Sequence, residues 1–177
     1  MQTAYSPELQ QLLQSIQSYL DAHYVPQKLR IRPNRKQQSA PFAAPVCEAA
    51  AAPMLSLEEY LKQEDKGFTQ KLLELIDASG RKDSEIYKKA NISKQHFSKI
   101  RNNPNYKPTK PTAIALALAL ELDLEATKDL IGRAGYALTN SSKFDLIIRY
   151  FIEQGNYNVV EINLALFEFD QPLLGAT

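Results

Sequence analysis

Residues 83–102 read DSEIYKKANISKQHFSKIRN, and this stretch carries the pattern that decides the fold. Ile86 and Ala90 stand four apart, so they lie on one face of a short helix. Ala90 is small, which allows a second helix to approach closely. Asn91 follows where the chain must turn, and asparagine tolerates the left-handed backbone conformation better than most residues. The first half of the stretch therefore predicts a short helix that ends in a sharp turn.

The second half of the stretch predicts another helix. Ser93 is a suitable N-cap, and Phe97 and Ile100 are spaced to face one core. The two helices together fit a helix-turn-helix. The remaining positions of the second helix form an outward face that is polar and cationic and contains no carboxylate. These outward residues are Lys94, Gln95, Ser98, Lys99 and Asn102.

The charge of the chain is concentrated around this motif. The whole chain of 177 residues has a net charge of +1, but residues 81–110 alone carry +7. The flanking segments, 57–80 and 111–177, carry −3 and −5. A basic cluster of this kind attracts phosphate backbones. A solvated lysine-rich surface with no ligand is an equally good interpretation of the charge alone.

Helix signals continue on both sides of the motif, and they predict an all-α fold. Ser56 and Glu59 fit a capping box that starts one helix. The apolar runs DLIIRYFI and LALFEF can be strands, but the caps that flank them favour helices. The other helices are predicted at about Phe68–Ser79, Asp83–Ala90, Lys94–Arg101, the TAIALALALEL run after Pro111, Glu125–Ala134, Ser142–Gln154 and from Asn158 onward.

The N-terminal third has a different composition. Residues 1–22 predict a helix with an apolar stripe, which begins at the Ser6–Pro7 cap. Residues 23–55 are rich in proline and alanine and predict a mobile linker, with a short extended piece at LRIR. Its basic run could touch nucleic acid, although a solvated tail is the more ordinary interpretation. We expect residues 56–135 to form the helix-turn-helix domain and 136–177 a C-terminal helical pair.

Several function classes find no support in the sequence. The chain has one cysteine, Cys47, and two histidines, His23 and His96, so we expect no disulfide, metal site or cofactor. No phosphate-binding glycine loop or nucleophile elbow is present, and we expect no enzymatic activity. No apolar run is long enough to span a membrane, and no signal peptide is evident. We therefore expect a soluble cytoplasmic protein.

Residues 68–135 resemble the five-helix DNA-binding domain of the lambda-repressor-like family, with the same order of helices around the motif. The resemblance implies that the outward residues of the second motif helix contact bases. Two positions depart from the family pattern: Tyr87 stands where a small residue is usual, and Asn91 replaces glycine. The implied base contacts are Ser93, Lys94 and Gln95, followed by Ser98, Lys99 and Asn102.

A second resemblance covers residues 57–176. This part of the chain is similar to a helical module that recurs at the C-terminal end of bacterial proteins, sometimes behind a macro domain or another signalling domain. This resemblance implies a reader or adaptor module and leaves its ligand open.

The sequence therefore predicts a DNA-binding regulatory protein of bacteria or phage that reads double-stranded DNA. Two alternatives stay open: a protein-interaction module built on the same fold, or a basic face that binds RNA. We also expect a homodimer through residues 136–177, because two extra aromatic-rich helices offer more apolar surface than a small domain needs. Phosphate contacts are expected at Lys88, Lys89, Arg101, Lys107 and Lys110.

Overall fold

The computed structural model describes residues 6–26 and 66–175, and within these ranges the regular structure is entirely helical. The all-α prediction is confirmed for this part of the chain. The predicted capping-box helix at Ser56 and the linker beyond residue 26 lie outside it. The helices are α1 (Pro7–His23), α2 (Phe68–Ser79), α3 (Asp83–Lys89), α4 (Lys94–Asn102), α5 (Lys110–Ala119), α6 (Leu124–Arg133), α7 (Lys143–Glu153) and α8 (Val159–Glu168).

Side-chain caps explain why most of these helices begin where they do. In six of the eight described helices, a side chain just before the first residue accepts a hydrogen bond from a backbone N–H of the first turn, which has no partner within the helix. The runs DLIIRYFI and LALFEF lie in α7 and α8, so the strand alternative is excluded for them. The capping side chains are Ser6, Ser93, Thr109, Asp123, Ser142 and Asn158.

Helix α5 is the centre of the fold. Every residue from Thr112 to Leu120 is buried, so this alanine- and leucine-rich helix is core on all sides. It packs against α3, α6 and α8, while α2 packs against α4 and α6. A helix that is apolar all round is stable only when neighbours surround it. The α3–α4 pair is therefore held against a rigid support.

The N-terminal helix packs on α7 of its own chain. Ile16 and Leu20 are fully or almost fully buried. The Tyr19 hydroxyl donates a hydrogen bond to Glu153 Oε2 at 2.8 Å, and its ring meets that of Tyr150 at 5.3 Å. Burial, followed by the bond to Glu153, raises the pKa of Tyr19 to about 12. Helix α1 and residues 66–175 thus belong to one structural unit, although the 42 residues 24–65 separate them in sequence.

This packing changes which apolar surface of residues 136–177 is open to solvent. Phe151 of α7 is completely buried, and Tyr150 is covered in part by α1. Phe167 of α8 remains exposed.

None of the helices within residues 6–26 and 66–175 is long and apolar enough to cross a membrane.

Candidate nucleic-acid interface

The turn between α3 and α4 has the backbone that its sequence predicts. Asn91 adopts φ +55°, in the left-handed region, as expected for an asparagine at this position. The Asn91 N–H donates to Lys88 O at 3.1 Å, and the Ile92 N–H donates to Tyr87 O at 2.9 Å. These bonds close the end of α3 and redirect the chain into α4.

Helix α4 separates its core side from its outer side clearly. Phe97 and Ile100 are buried, together with Ile86 and Ala90 of α3, as predicted. The Ser93 hydroxyl accepts the His96 N–H at 3.2 Å, so it caps the helix as predicted. All six predicted base-contacting residues are exposed to solvent: Ser93, Lys94, Gln95, Ser98, Lys99 and Asn102.

Two contacts fix α3 against α4. The ring of Tyr87 lies 5.9 Å from that of Phe97, so the larger side chain at this position packs between the helices. At the outer edge, Arg101 Nη1 donates to both carboxylate oxygens of Asp83 at 2.6 Å. Arg101 was predicted to contact phosphate, but here it joins the end of α4 to the start of α3.

The predicted phosphate contacts fall into two groups. Lys88 and Lys107 are exposed and form no ion pair with any residue that the structure describes. The other three cations are held by carboxylates of their own chain. Lys89 pairs with Glu121, Arg101 with Asp83 and Lys110 with Asp145. The two groups could not be separated from the sequence, because the partners of Lys89 and Lys110 are distant along the chain.

The carboxylate of Glu121 is shared by two cations. It pairs with Lys89 and also accepts a hydrogen bond from Arg81 Nη2 at 2.6 Å. These bonds, with that from Lys89 first, hold the pKa of Glu121 below its ordinary value. Arg81 also donates to Ala119 O at 2.9 Å, which links the start of α3 to the end of α5.

Lys110 has a structural partner in the core. Its Nζ lies 2.5 Å from Asp145 Oδ1, and the Asp145 side chain is only 1% exposed. Thr139 donates to the other carboxylate oxygen from both its backbone N–H and its hydroxyl, at 2.9 and 3.1 Å. A buried carboxylate needs such partners, because an unpaired charge away from water is costly. Lys110 therefore joins the start of α5 to α7.

A shallow groove of about 310 Å³ runs along the first turns of α4. It is lined by Ser93, Gln95, His96 and Lys99 of this region and by Tyr106 of the following loop. The Tyr106 hydroxyl is hydrogen-bonded to His96 Nε2 at 2.9 Å, so Tyr106 ties this loop to α4. Burial and then the positive charge of Lys99 lower the pKa of His96, which keeps its ring neutral at pH 7.

Residues 171–175, the C-terminal tail, lie against the α3–α4 turn. The sequence analysis did not predict this contact. Asn163 of α8 holds Leu174 on both sides: its Oδ1 accepts the Leu174 N–H at 2.7 Å and its Nδ2 donates to Leu174 O at 3.1 Å. Leu174 is fully buried. Gly175 has φ +69°, and a Cβ there would meet Ala90 O at 2.4 Å. The only feature of the sequence that pointed to this contact was Gly175, which follows a stretch without helix signals.

No group of three His, Cys, Asp or Glu side chains within residues 6–26 and 66–175 is placed to hold a metal ion. The chemistry that the α4 surface does offer is donation of hydrogen bonds by lysine, glutamine, asparagine and serine. The chain matches no protein-family model, no curated protein and no solved structure.

Proposed function

We propose that α2–α6 form a five-helix domain of the lambda-repressor-like kind and that the protein is a non-enzymatic, sequence-specific DNA-binding regulator. The observation that carries the proposal is the outer face of α4, which is exposed, cationic and free of carboxylates. In this docking mode the first turn of the second motif helix enters deepest into the major groove. Asn91 at φ +55° supports the proposal, since it supplies the sharp turn that such a motif needs.

The side chains of the first turn have the donors and acceptors that base reading requires. Gln95 can bond an adenine edge in two places, and Lys94 can reach the O6 and N7 atoms of guanine. Ser98, Lys99 and Asn102 stand further along the same exposed face. Lys107 follows in the adjoining loop, and a cation that has no ion pair with any described residue suits phosphate.

The proposal is tested by selecting bound fragments from a random pool of DNA duplexes at physiological salt. We expect an enriched sequence motif, and we expect it to be lost with the Lys94→Ala, Gln95→Ala double variant. A matched control is Lys143→Ala, which removes an exposed cation far from α4 along the chain. An unenriched pool, or a motif that the double variant still selects, would contradict the proposal.

A second function is favoured by a separate observation. Helix α8 exposes large apolar residues, Val160 and Phe167 among them, as a protein-interaction module would. On this reading the α3–α4 pair is only a scaffold, and DNA binding is absent or unspecific. An RNA ligand for the basic face would give enrichment from a random RNA pool and none from DNA.

A further inference from the structure

The outer face of α8 carries a stripe of large apolar side chains. Val160, Leu164 and Phe167 are exposed by 77%, 37% and 65%. Their spacing, i, i+4 and i+7, places them on one side of the helix. We call these three residues the α8 stripe. The opposite side of α8 is already used, because Val159, Ile162, Ala165 and Leu166 are buried in the core.

Such a stripe is unusual on a helix at the surface of a domain. A helix that packs on a core normally turns polar residues outward. When a Val, a Leu and a Phe are exposed, the fold loses the stabilisation that their burial would give, about 25 cal/mol for each Å² of apolar surface. An exposed apolar patch of this kind marks an interaction site more often than a chance cluster. We therefore expect a binding partner to occupy the α8 stripe.

We propose that the occupant is a second copy of this chain, bound so that the two α8 helices pack antiparallel about a two-fold axis. The α8 stripe is self-complementary in this arrangement. With Leu164 at the axis, facing its counterpart, Val160 of each copy stands opposite Phe167 of the other. A small side chain thus meets a large one at both ends, as an interface built from one repeated patch requires.

A groove beside the α8 stripe can receive the large side chain. The groove has a volume of about 870 Å³ and lies between the end of α3 and the start of α8. Tyr157, Val159 and Val160 supply its apolar lining. The rest of the lining is Gly155 and polar side chains, which are Lys88, Asn91, Asn156, Asn158 and the ion pair of Lys89 with Glu121. Val160 belongs to both the groove and the stripe. Phe167 of the second copy, which stands opposite Val160, therefore enters this groove, and an aromatic anchor in a pocket is typical of an interface centre.

Charge complementarity supports the same arrangement. Lys88, on the groove wall, is exposed and forms no ion pair with any described residue. Asp170 is exposed just beyond the end of α8, three residues after Phe167. Antiparallel packing brings the end of one α8 next to the start of the other, so Asp170 approaches Lys88 of the opposite copy. The opposed helix dipoles add to this attraction.

This inference stands apart from DNA binding, because the dimer forms without a ligand. It assigns Lys88 to the contact between subunits instead of to phosphate. It also connects the dimer contact to the α3–α4 turn, because Asn163 on α8 holds the tail residue Leu174 next to that turn.

The first test measures the mass of the full chain by sedimentation over a range of concentrations without nucleic acid. We expect a dimer with a dissociation constant in roughly the micromolar range. Phe167→Ala should raise that constant at least about 30-fold, because it removes the aromatic side chain that fills the groove. Val25→Ala is the matched control, since Val25 is another exposed apolar residue, outside the α8 stripe. A wild-type monomer at high concentration, or equal effects of the two variants, would overturn the proposal.

The second test fixes the geometry. In a Cys47→Ser background, Leu164→Cys should give a disulfide-linked dimer on mild oxidation, because residue 164 faces itself across the axis. Lys88→Glu and Asp170→Lys should each weaken the dimer, and the two together should restore it. Failure of residue 164 to cross-link while the chain is dimeric would overturn the antiparallel arrangement.

Discussion

The outer faces of α4 and α8 differ in a way that sequence patterning alone makes hard to see. Both helices bury one side, and both leave the other side open. The open side of α4 is polar and cationic, whereas that of α8 is apolar through Val160, Leu164 and Phe167. The two proposals above assign a different partner to each face, a polyanion to α4 and an apolar protein surface to α8.

The same contrast separates cations that only look alike in the sequence. Lys107 and Lys110 lie three residues apart in a basic segment, and both were predicted to contact phosphate. Lys107 is exposed, while Lys110 is paired with the buried Asp145. Of these two lysines, only Lys107 carries a charge that no described carboxylate neutralises.

The largest expected effect comes from removing Lys110, the cation that is paired with a buried carboxylate. Lys110→Ala leaves Asp145 buried without its positive partner, and we expect the free energy of unfolding to fall by about 3 kcal/mol. Lys107→Ala, the matched control, should change it by less than about 0.5 kcal/mol. Urea denaturation of both variants provides the measurement. If both variants lose the same small amount of free energy of unfolding, Lys110 is not held by Asp145 and is as available to a ligand as Lys107.

The next effect tests the tail that joins the two surfaces. In Gly175→Ala the new Cβ meets Ala90 O and Asn91 O, so the tail must leave the α3–α4 turn. We expect a loss of about 2 kcal/mol in the free energy of unfolding, with changes in the amide resonance of Asn91. Gly80→Ala is the control, because Gly80 has φ +65° but no atom within 4 Å of a new Cβ. It should cost only the strain of the left-handed backbone, about 1 kcal/mol. Equal costs would mean that the tail does not brace the turn.

A smaller effect tests whether α1 covers α7 and so leaves α8 as the exposed apolar face. Tyr19→Phe removes the hydrogen bond to Glu153, and we expect a loss of about 1 kcal/mol at pH 7. The raised pKa means that this contribution is complete below pH 10.0 and is lost as the pH rises towards about 12. Absorbance titration of the wild type should show a tyrosine ionisation near pH 12 that is missing in Tyr19→Phe. If this ionisation persists in the variant, α1 does not pack as described.

The smallest effect concerns the edge of the α4 face. The pKa of His96 is lowered by burial and by Lys99, so the unfolded chain takes up a proton at a higher pH than the folded chain does. The free energy of unfolding should therefore decrease as the pH falls below about 6.5. His96→Gln should lose this part of the pH dependence while keeping a polar group near Tyr106. An unchanged pH profile in the variant would show that His96 is not held as described.

Sequence reasoning succeeded where the signal was local. The spacing of Ile86, Ala90, Phe97 and Ile100 specified the core side of both helices, and Asn91 specified the turn, because these features depend on neighbours within a few residues. The pairing of Lys110 with a residue 35 positions later has no local signature. The packing of α1 on α7 likewise depends on distant apolar residues meeting, which periodicity does not specify.

The candidate site could be predicted only in part for the same reason. Exposure of Gln95 and Lys99 follows from the helical period. Which cations remain unpaired depends on carboxylates brought in from other elements, such as Glu121 from the end of α5. The apolar outer face of α8 was visible in its composition, but its burial pattern was needed to show that Phe167 is the exposed aromatic residue.

The central claim, that the outer face of α4 reads DNA, is tested most directly by titrating variants against the selected duplex and a random duplex at several salt concentrations. Gln95→Ala should cost roughly 1–3 kcal/mol on the selected duplex and little on the random one. Lys107→Ala should weaken both about equally and flatten the salt dependence by roughly one unit. If Gln95→Ala and Lys94→Ala leave binding to both duplexes unchanged, α4 does not read the major groove and the claim is wrong.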